Sequence, residues 1–206
     1  MTDTPATSIY LIRHGEVYNP QDIYYGRCPR FHLSEKGRAQ ARAAAAVLAD
    51  QPIQVLYSSP LLRARQTAKE IGIPHGSPRL RLSRQLLEVK LPYDGKPNAV
   101  ARAINWDIFI GISPEFERPT DVLRRMRRFL EYVRRHHPGK HIAVVSHHHP
   151  ILFTTLWGMG RPVNLDYRTE RTNLGLPERF PLPCAMVKLT YQTFAEAEIP
   201  ACKVLV

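Results

Sequence analysis

Two guanidiniums and two imidazoles carry the chemistry this sequence can do. Arg13, His14 and Gly15 directly follow the short apolar run Ser8-Ile-Tyr-Leu-Ile12, and Ser146 and His147 directly follow another, His141 to Val145. Arg63 falls in the first turn of a helix expected after a third run, Ile53 to Tyr57. Ligands of an open α/β sheet sit beyond the carboxyl ends of its strands, so three distant segments deliver these groups to one edge. Arginine's planar fork of donors matches phosphate oxygens and stays charged at any working pH. A phosphoryl group in flight spreads negative charge over its outer oxygens, so fixed cations and positioning supply most of its catalysis. The expected chemistry is therefore phosphoryl transfer. A neutral imidazole attacks phosphorus directly, and neighbouring guanidiniums favour the neutral form, which makes His14 the expected nucleophile. Gly15 is expected to let backbone and substrate approach closely. A departing alkoxide needs a proton, for which Glu88 is the candidate, its stem buried by Leu86 and Leu87. Asp94, Glu16 and Glu115 are the alternatives.

The elements that must position these residues alternate. Three short β-branched runs read as strands. Ser34 precedes an Ala-rich run from Glu35 to Asp50 and reads as the N-cap of a helix. Ser58-Ser59-Pro60 reads as a capping hydroxyl before a proline at the first helical position, starting a helix that runs to about Ile71. From Thr120, Val122, Met126, Phe129, Leu130 and Val133 recur at helical spacing, with Arg124, Arg127, Arg128, Arg134 and Arg135 mostly off that stripe. A further helix is expected from Pro150 to about Trp157 and a last strand from Cys184 to Thr190. The alternation argues for an α/β fold with a mainly parallel sheet. Residues of about 74–119 and 161–183 break the rhythm, being rich in Pro, Gly and charge, and read as irregular cap or loop regions that select substrate.

A chain of 206 residues with 44% hydrophobic composition fits one domain, 1–206, with a core of its own. Lys and Arg number 29 against 18 Asp and Glu, a net charge of +11 that attracts anions. Cys28, Cys184 and Cys202 are odd in number and widely spaced, which suits reduced thiols in a cytoplasmic protein and lacks zinc-ligand spacing. The amino-terminal residues carry no basic and apolar leader pattern, and no apolar stretch approaches the roughly 20 residues that span a bilayer. No membrane partner is expected.

Four blocks in order, Leu11-Ile-Arg-His-Gly-Glu16, Leu33-Ser-Glu-Lys-Gly-Arg-Ala-Gln40, Tyr57-Ser-Ser-Pro-Leu-Leu-Arg-Ala-Arg-Gln-Thr-Ala68 and Val144-Val-Ser-His147, resemble the signature blocks of the histidine phosphatase superfamily, which includes cofactor-dependent phosphoglycerate mutases. The resemblance implies a three-layer α/β/α, phosphoglycerate mutase-like fold. It implies that His14 accepts the phosphoryl group, that Arg13, Arg63 and His147 form the phosphate pocket, and that Glu88 is the acid. Asn19 and Tyr25-Gly26-Arg27 are similar to the family stretch that touches phosphate or substrate, which makes Asn19 and Arg27 substrate-binding candidates. Two departures stand out. His148, His149 and Pro150 follow the second histidine where the family usually has Gly, and Val89-Lys-Leu-Pro-Tyr-Asp-Gly-Lys96 differs from the stretch that the mutases carry there, which favours hydrolysis.

Other readings of the same residues compete. A lone Arg-His-Gly triplet carries little weight, whereas four ordered blocks at strand ends do. Asn-Pro and Tyr-Gly pairs around Asn19 and Arg27 also serve as plain turn chemistry. Consecutive His147, His148 and His149 leaving a strand point to alternating sides, so no catalytic metal is expected. The arginine-rich helix from Thr120 reads as a solvated face rather than a nucleic-acid surface, with no aromatics interleaved, and its last basic residues complement the helix dipole. The sequence thus predicts a phosphomonoester hydrolase acting through a phosphohistidine on a small phosphorylated metabolite, without metal or organic cofactor. A mutase that returns the phosphoryl group to a hydroxyl, and a non-catalytic anion- or nucleic-acid-binding module, are the rival readings. Oligomeric state has no signal in the sequence.

Overall fold

Side-chain alternation along each strand divides the core between two faces of one sheet. In the computed structural model, which describes residues 6–193, 195 and 198–205, Ile9 and Leu11 of β1 (Thr7–Arg13) join one buried cluster and Tyr10 and Ile12 the other. β4 (His141–Ser146) repeats the pattern, with Ile142 and Val144 on the first face and Ala143 and Val145 on the second. In β2 (Ile53–Ser58) a register shift between Ile53 and Val55 brings Ile53 and Leu56 to the same face. A strict period of two would separate them.

The sheet has six strands in the order β3-β2-β4-β1-β5-β6. β3 (Leu80–Leu82), β2, β4 and β1 run parallel, while β5 (Met186–Tyr191) and β6 (Ala201–Val204) add antiparallel edges. Helices α1 (Glu35–Leu48) and α2 (Leu62–Gly72) cover one face through alanines such as Ala41, Ala45, Ala64 and Ala68. Small side chains there let the helices lie close to the strands. On the other face pack α3 (Asn98–Ala103), α4 (Pro119–His136), α5 (His148–Gly158) and α6 (Tyr167–Asn173). The α4 stripe Val122, Met126, Phe129, Leu130 and Val133 is buried as its spacing predicts. The result is the expected three-layer α/β/α architecture around a mostly parallel sheet. Among the described residues no helix is long and apolar enough to cross a membrane.

Several local expectations need correction. Ser34 caps α1 as predicted, accepting from the Gly37 amide at 2.9 Å, but α2 begins at Leu62 rather than at Pro60, and no side chain caps it. α5 begins at His148, two residues before the predicted start, so His148 and His149 lie on a helix and the strand-alternation argument about three histidines does not apply to them. Cys184 precedes β5 with φ 61°, a left-handed residue outside the strand. Arg134 is not part of the solvated basic face: it is 1% exposed, paired with Glu131 and Glu198, and it donates to the carbonyls of Thr193 and Ala195. The stretches read as irregular hold β3, α3 and α6, of three, six and seven residues, too short to show a period.

Candidate active site

The ladder itself sets the ends of the three parallel strands side by side. Arg13 pairs with Ser146 across β1 and β4. Beyond the strands the His14 amide donates to the Ser146 carbonyl at 3.1 Å and the Ser59 amide to the Val145 carbonyl at 2.9 Å. These bonds hold His14 and Ser59 against the β4 terminus, from which His147 follows. The His14 and His147 rings lie 5.1 Å apart between centroids, edge to face. Both are buried, as is Arg63, which is 0% exposed.

Hydrogen bonds fix the protonation of His14. Its Nδ1 lies 2.8 Å from the Gly15 carbonyl, which can only accept, so Nδ1 carries the hydrogen. Its Nε2 receives the Arg63 Nε–H at 3.2 Å, so Nε2 holds a lone pair. Burial first, then the charges of Arg63, His147 and Arg13, hold the His14 imidazole well below the ordinary histidine range. It is a neutral imidazole with its free nitrogen turned toward a cation.

Arg63 is held from every side. Its two terminal nitrogens donate to the carbonyls of Gly26 and Cys28, and its guanidinium carbon sits 4.8 Å from the centre of the Tyr25 ring. Thr67, one turn along α2, donates to the Arg63 carbonyl at 2.9 Å and accepts the Gly15 amide at 3.1 Å, joining α2 to the His14 loop. Gly15 itself answers a packing demand: a Cβ there would lie 2.4 Å from the Gly37 carbonyl oxygen in the first turn of α1.

His147 carries a hydroxyl on one ring nitrogen, Ser59 Oγ at 2.8 Å from Nε2, and leaves Nδ1 buried with no partner among the described residues. Ser59 Oγ also accepts from the Leu61 amide at 3.4 Å, which frees its hydrogen for His147. The serine read as a helix cap thus orients a site histidine. Burial, then Arg63, pushes His147 well below the usual range. Arg13 donates to the Pro181 carbonyl at 2.7 Å, and its buried Nε has no partner among the described residues.

Glu88 occupies the amino end of α5. Its carboxylate accepts the amides of Val89 at 2.8 Å, His148 at 3.1 Å and His149 at 3.3 Å, and faces His149 Nδ1 at 3.3 Å. Burial alone would raise its pKa, but His149, aided by His147 and His148, outweighs burial and holds it well below the usual carboxylate range. Glu88 and Arg13 line one cavity of about 510 Å³, whose wall includes His148, His149, Tyr24, Tyr25 and Trp106. None of the alternative carboxylates lines this cavity. Glu16 pairs with Lys36 and Ser34, Asp94 lies behind Gly26 and accepts the Arg27 amide, and the side chain of Glu115 lies outside the cavity wall.

The two remaining candidates face protein groups instead of the cavity. Asn19 brackets Ile23, donating to its carbonyl at 2.8 Å and accepting its amide at 3.0 Å, which shapes the loop entering the cavity. Arg27 pairs with Glu117 at 2.7 Å and donates to the Glu88 carbonyl at 2.7 Å, and Arg125 joins both partners. Among the described residues there is no cluster of three or more His, Cys, Asp and Glu side chains able to hold a metal ion.

The sequence and the fold have counterparts among known proteins. The model of the histidine phosphatase superfamily (branch 1) matches residues 9–177. An uncharacterised protein of Mycobacterium tuberculosis is 34% identical over 161 residues, covering 75% of this chain and 80% of its own. Phosphoserine phosphatase 1 of Hydrogenobacter thermophilus is 32% identical over 167 residues, covering 69% of this chain and 72% of its own. The solved structure of a mycobacterial glucosyl-3-phosphoglycerate phosphatase shares the fold, with a TM-score of 0.74 at 24% identity and 97% of each chain covered.

Proposed function

The chain belongs to the histidine phosphatase superfamily, and from that premise we propose that it hydrolyses phosphomonoesters of a small metabolite through a phosphohistidine on His14. The observation that carries this reading is the neutral His14 tautomer, Nδ1–H on the Gly15 carbonyl and Nε2 beside Arg63. In the reaction, Nε2 bonds to phosphorus as the bond to the ester oxygen breaks. Arg13, Arg63 and the Nδ1–H of His147 take the charge on the outer oxygens. Glu88, protonated once the substrate dianion lies beside it, gives its proton to the leaving alkoxide. It then removes a proton from the water that attacks the phosphohistidine, releasing inorganic phosphate and restoring His14.

Asn19 and Arg27 serve this site as positioning residues, the first through the Ile23 loop and the second through the Glu88 main chain. The fixed guanidiniums supply the charge stabilisation that a metal would otherwise bring, so we read the reaction as independent of metal and organic cofactor. One sheet with both core clusters packed on it supports a single domain, and three free cysteines support a cytoplasmic setting.

The test is release of phosphate from an aryl phosphate by wild type and His14→Ala. A loss of about a thousandfold or more in kcat is expected. Equal rates would refute the reading. Incubation with phosphoglycerates separates the mutase alternative: phosphate release faster than isomer interconversion supports hydrolysis, and the reverse contradicts it.

A further inference from the structure

Arg171, on α6, is 7% exposed and lines the same cavity as Arg13 and Glu88, yet its buried Nε has no hydrogen-bond partner among the described residues. Its neighbours do not supply one. Arg168, one turn earlier, is committed to Asp107 at 2.7 Å and to the Asn105 carbonyl. Glu178 lies near enough for its charge to be felt, but it is exposed and makes no ion pair with Arg171 among the described residues. Arg179, also exposed and on the cavity wall, adds a second cation with no carboxylate partner among the described residues. Arg102, by contrast, is already paired with Asp22 at 2.7 Å.

A guanidinium whose buried Nε has no partner is costly unless an anion completes it, and this one borders a cavity that can admit an anion. The cavity, about 510 Å³, meets the phosphoryl centre at Arg13 and Glu88, while His14, Arg63 and His147 lie behind its wall, and its volume falls within the range that takes a small organic ligand. Arg13, from a strand end, and Arg171 with Arg179, from the loop region, all line it. We propose that Arg171 is the core of a second anion subsite, so that the substrate is a phosphomonoester bearing a further anionic group, a carboxylate or a second phosphate, away from the scissile bond. The inference rests on the hydrolase reading above and deepens it. Arg171 and Arg179 bind that second group and take no part in bond making.

The test uses the full chain and three matched series with chains of about two to six carbons: n-alkyl phosphates, ω-carboxyalkyl phosphates and α,ω-alkanediol bisphosphates. At one or more lengths an acidic-ended substrate gives kcat/KM at least about tenfold above its alkyl counterpart, chiefly through KM. Which acidic series wins distinguishes carboxylate from phosphate. In Arg171→Gln this preference collapses toward unity. Should that variant not fold, Arg171→Lys, which keeps the charge on a different reach, shifts the preferred chain length. Wild type that turns over all three series without preference overturns the subsite while leaving the hydrolase reading intact. A preference undiminished in folded Arg171→Gln, or an unchanged length profile in Arg171→Lys, also overturns it. Wild type inert toward every series overturns the hydrolase reading and the subsite together.

Discussion

Replacing Glu88 by Gln separates its chemical role from its structural one. The carboxylate receives three backbone amides, those of Val89, His148 and His149, and faces His149 Nδ1. An amide keeps one oxygen for these donors but turns an NH2 group toward an amide hydrogen at the start of α5. Losing one charge-assisted bond at a helix terminus costs about 1–2 kcal/mol, which the fold should survive. Chemistry loses more. A positioned general acid contributes roughly 10²–10⁴-fold, or about 2.7–5.4 kcal/mol at 1.36 kcal/mol per factor of ten. That loss falls only on substrates whose leaving group must be protonated. The expected result is therefore a fall of about 10²–10⁴-fold in kcat/KM for an alkyl phosphate and less than about tenfold for p-nitrophenyl phosphate, whose phenolate leaves unaided. Steady-state kinetics of both substrates on both proteins provide the assay. An equal loss on the two would show that Glu88 only braces α5, and no loss on the alkyl ester would remove it from the reaction.

Other consequences follow from the same contacts. His14 and His147, both buried, and half-buried His148 are neutral with depressed pKa values, so below about pH 6.5 the unfolded chain binds protons that the folded chain refuses. Stability conferred by these three is intact above that pH and is lost as pH falls through it, by up to about 1.4 kcal/mol per unit for each histidine, with Glu88 adding to the loss below about pH 4.5. Urea midpoints should drop between pH 7 and pH 5 at constant m-value, and a flat profile would contradict the buried neutral assignment. Ser59→Ala removes the hydroxyl from His147 Nε2 and frees the ring to take the wrong tautomer. A fall of about tenfold or more in kcat with an unchanged thermal midpoint is expected, and unaltered kinetics would refute the orienting role. Gly15→Ala forces a methyl against the Gly37 carbonyl and should cost about 1–3 kcal/mol in chemical denaturation, whereas a neutral result would show that the α1 turn yields.

The sequence made some of this molecule legible and hid the rest for physical reasons. The α4 stripe and the alanines of α1 declare themselves because long helices repeat their burial every turn. Arg13, His14, Arg63 and His147 were legible because each lies at a strand end or in the segment that leaves one, and the topology brings strand ends together. Ser59 was misread because a hydroxyl before a proline is also a helix cap, and only the tertiary placement of His147 gives it another use. His149 offered no signal toward Glu88, since the helix start that brings its ring and amide to the carboxylate came two residues earlier than expected. Arg27 and Asn19 are substrate candidates through the family resemblance, while their side chains are taken up by Glu117 and Ile23. Arg171 was invisible because α6 is seven residues long in a stretch of Pro, Gly and charge.

Every step of the proposed reaction passes through a covalent bond between phosphorus and His14 Nε2. Rapid acid-free quenching of wild type during turnover of a phosphorus-labelled ester, followed by peptide mapping, reads it directly. Label on the peptide containing His14, stable to base, lost in acid and missing from His14→Ala, is the predicted result. Turnover with no labelled enzyme at any time, or label retained in the alanine variant, contradicts it.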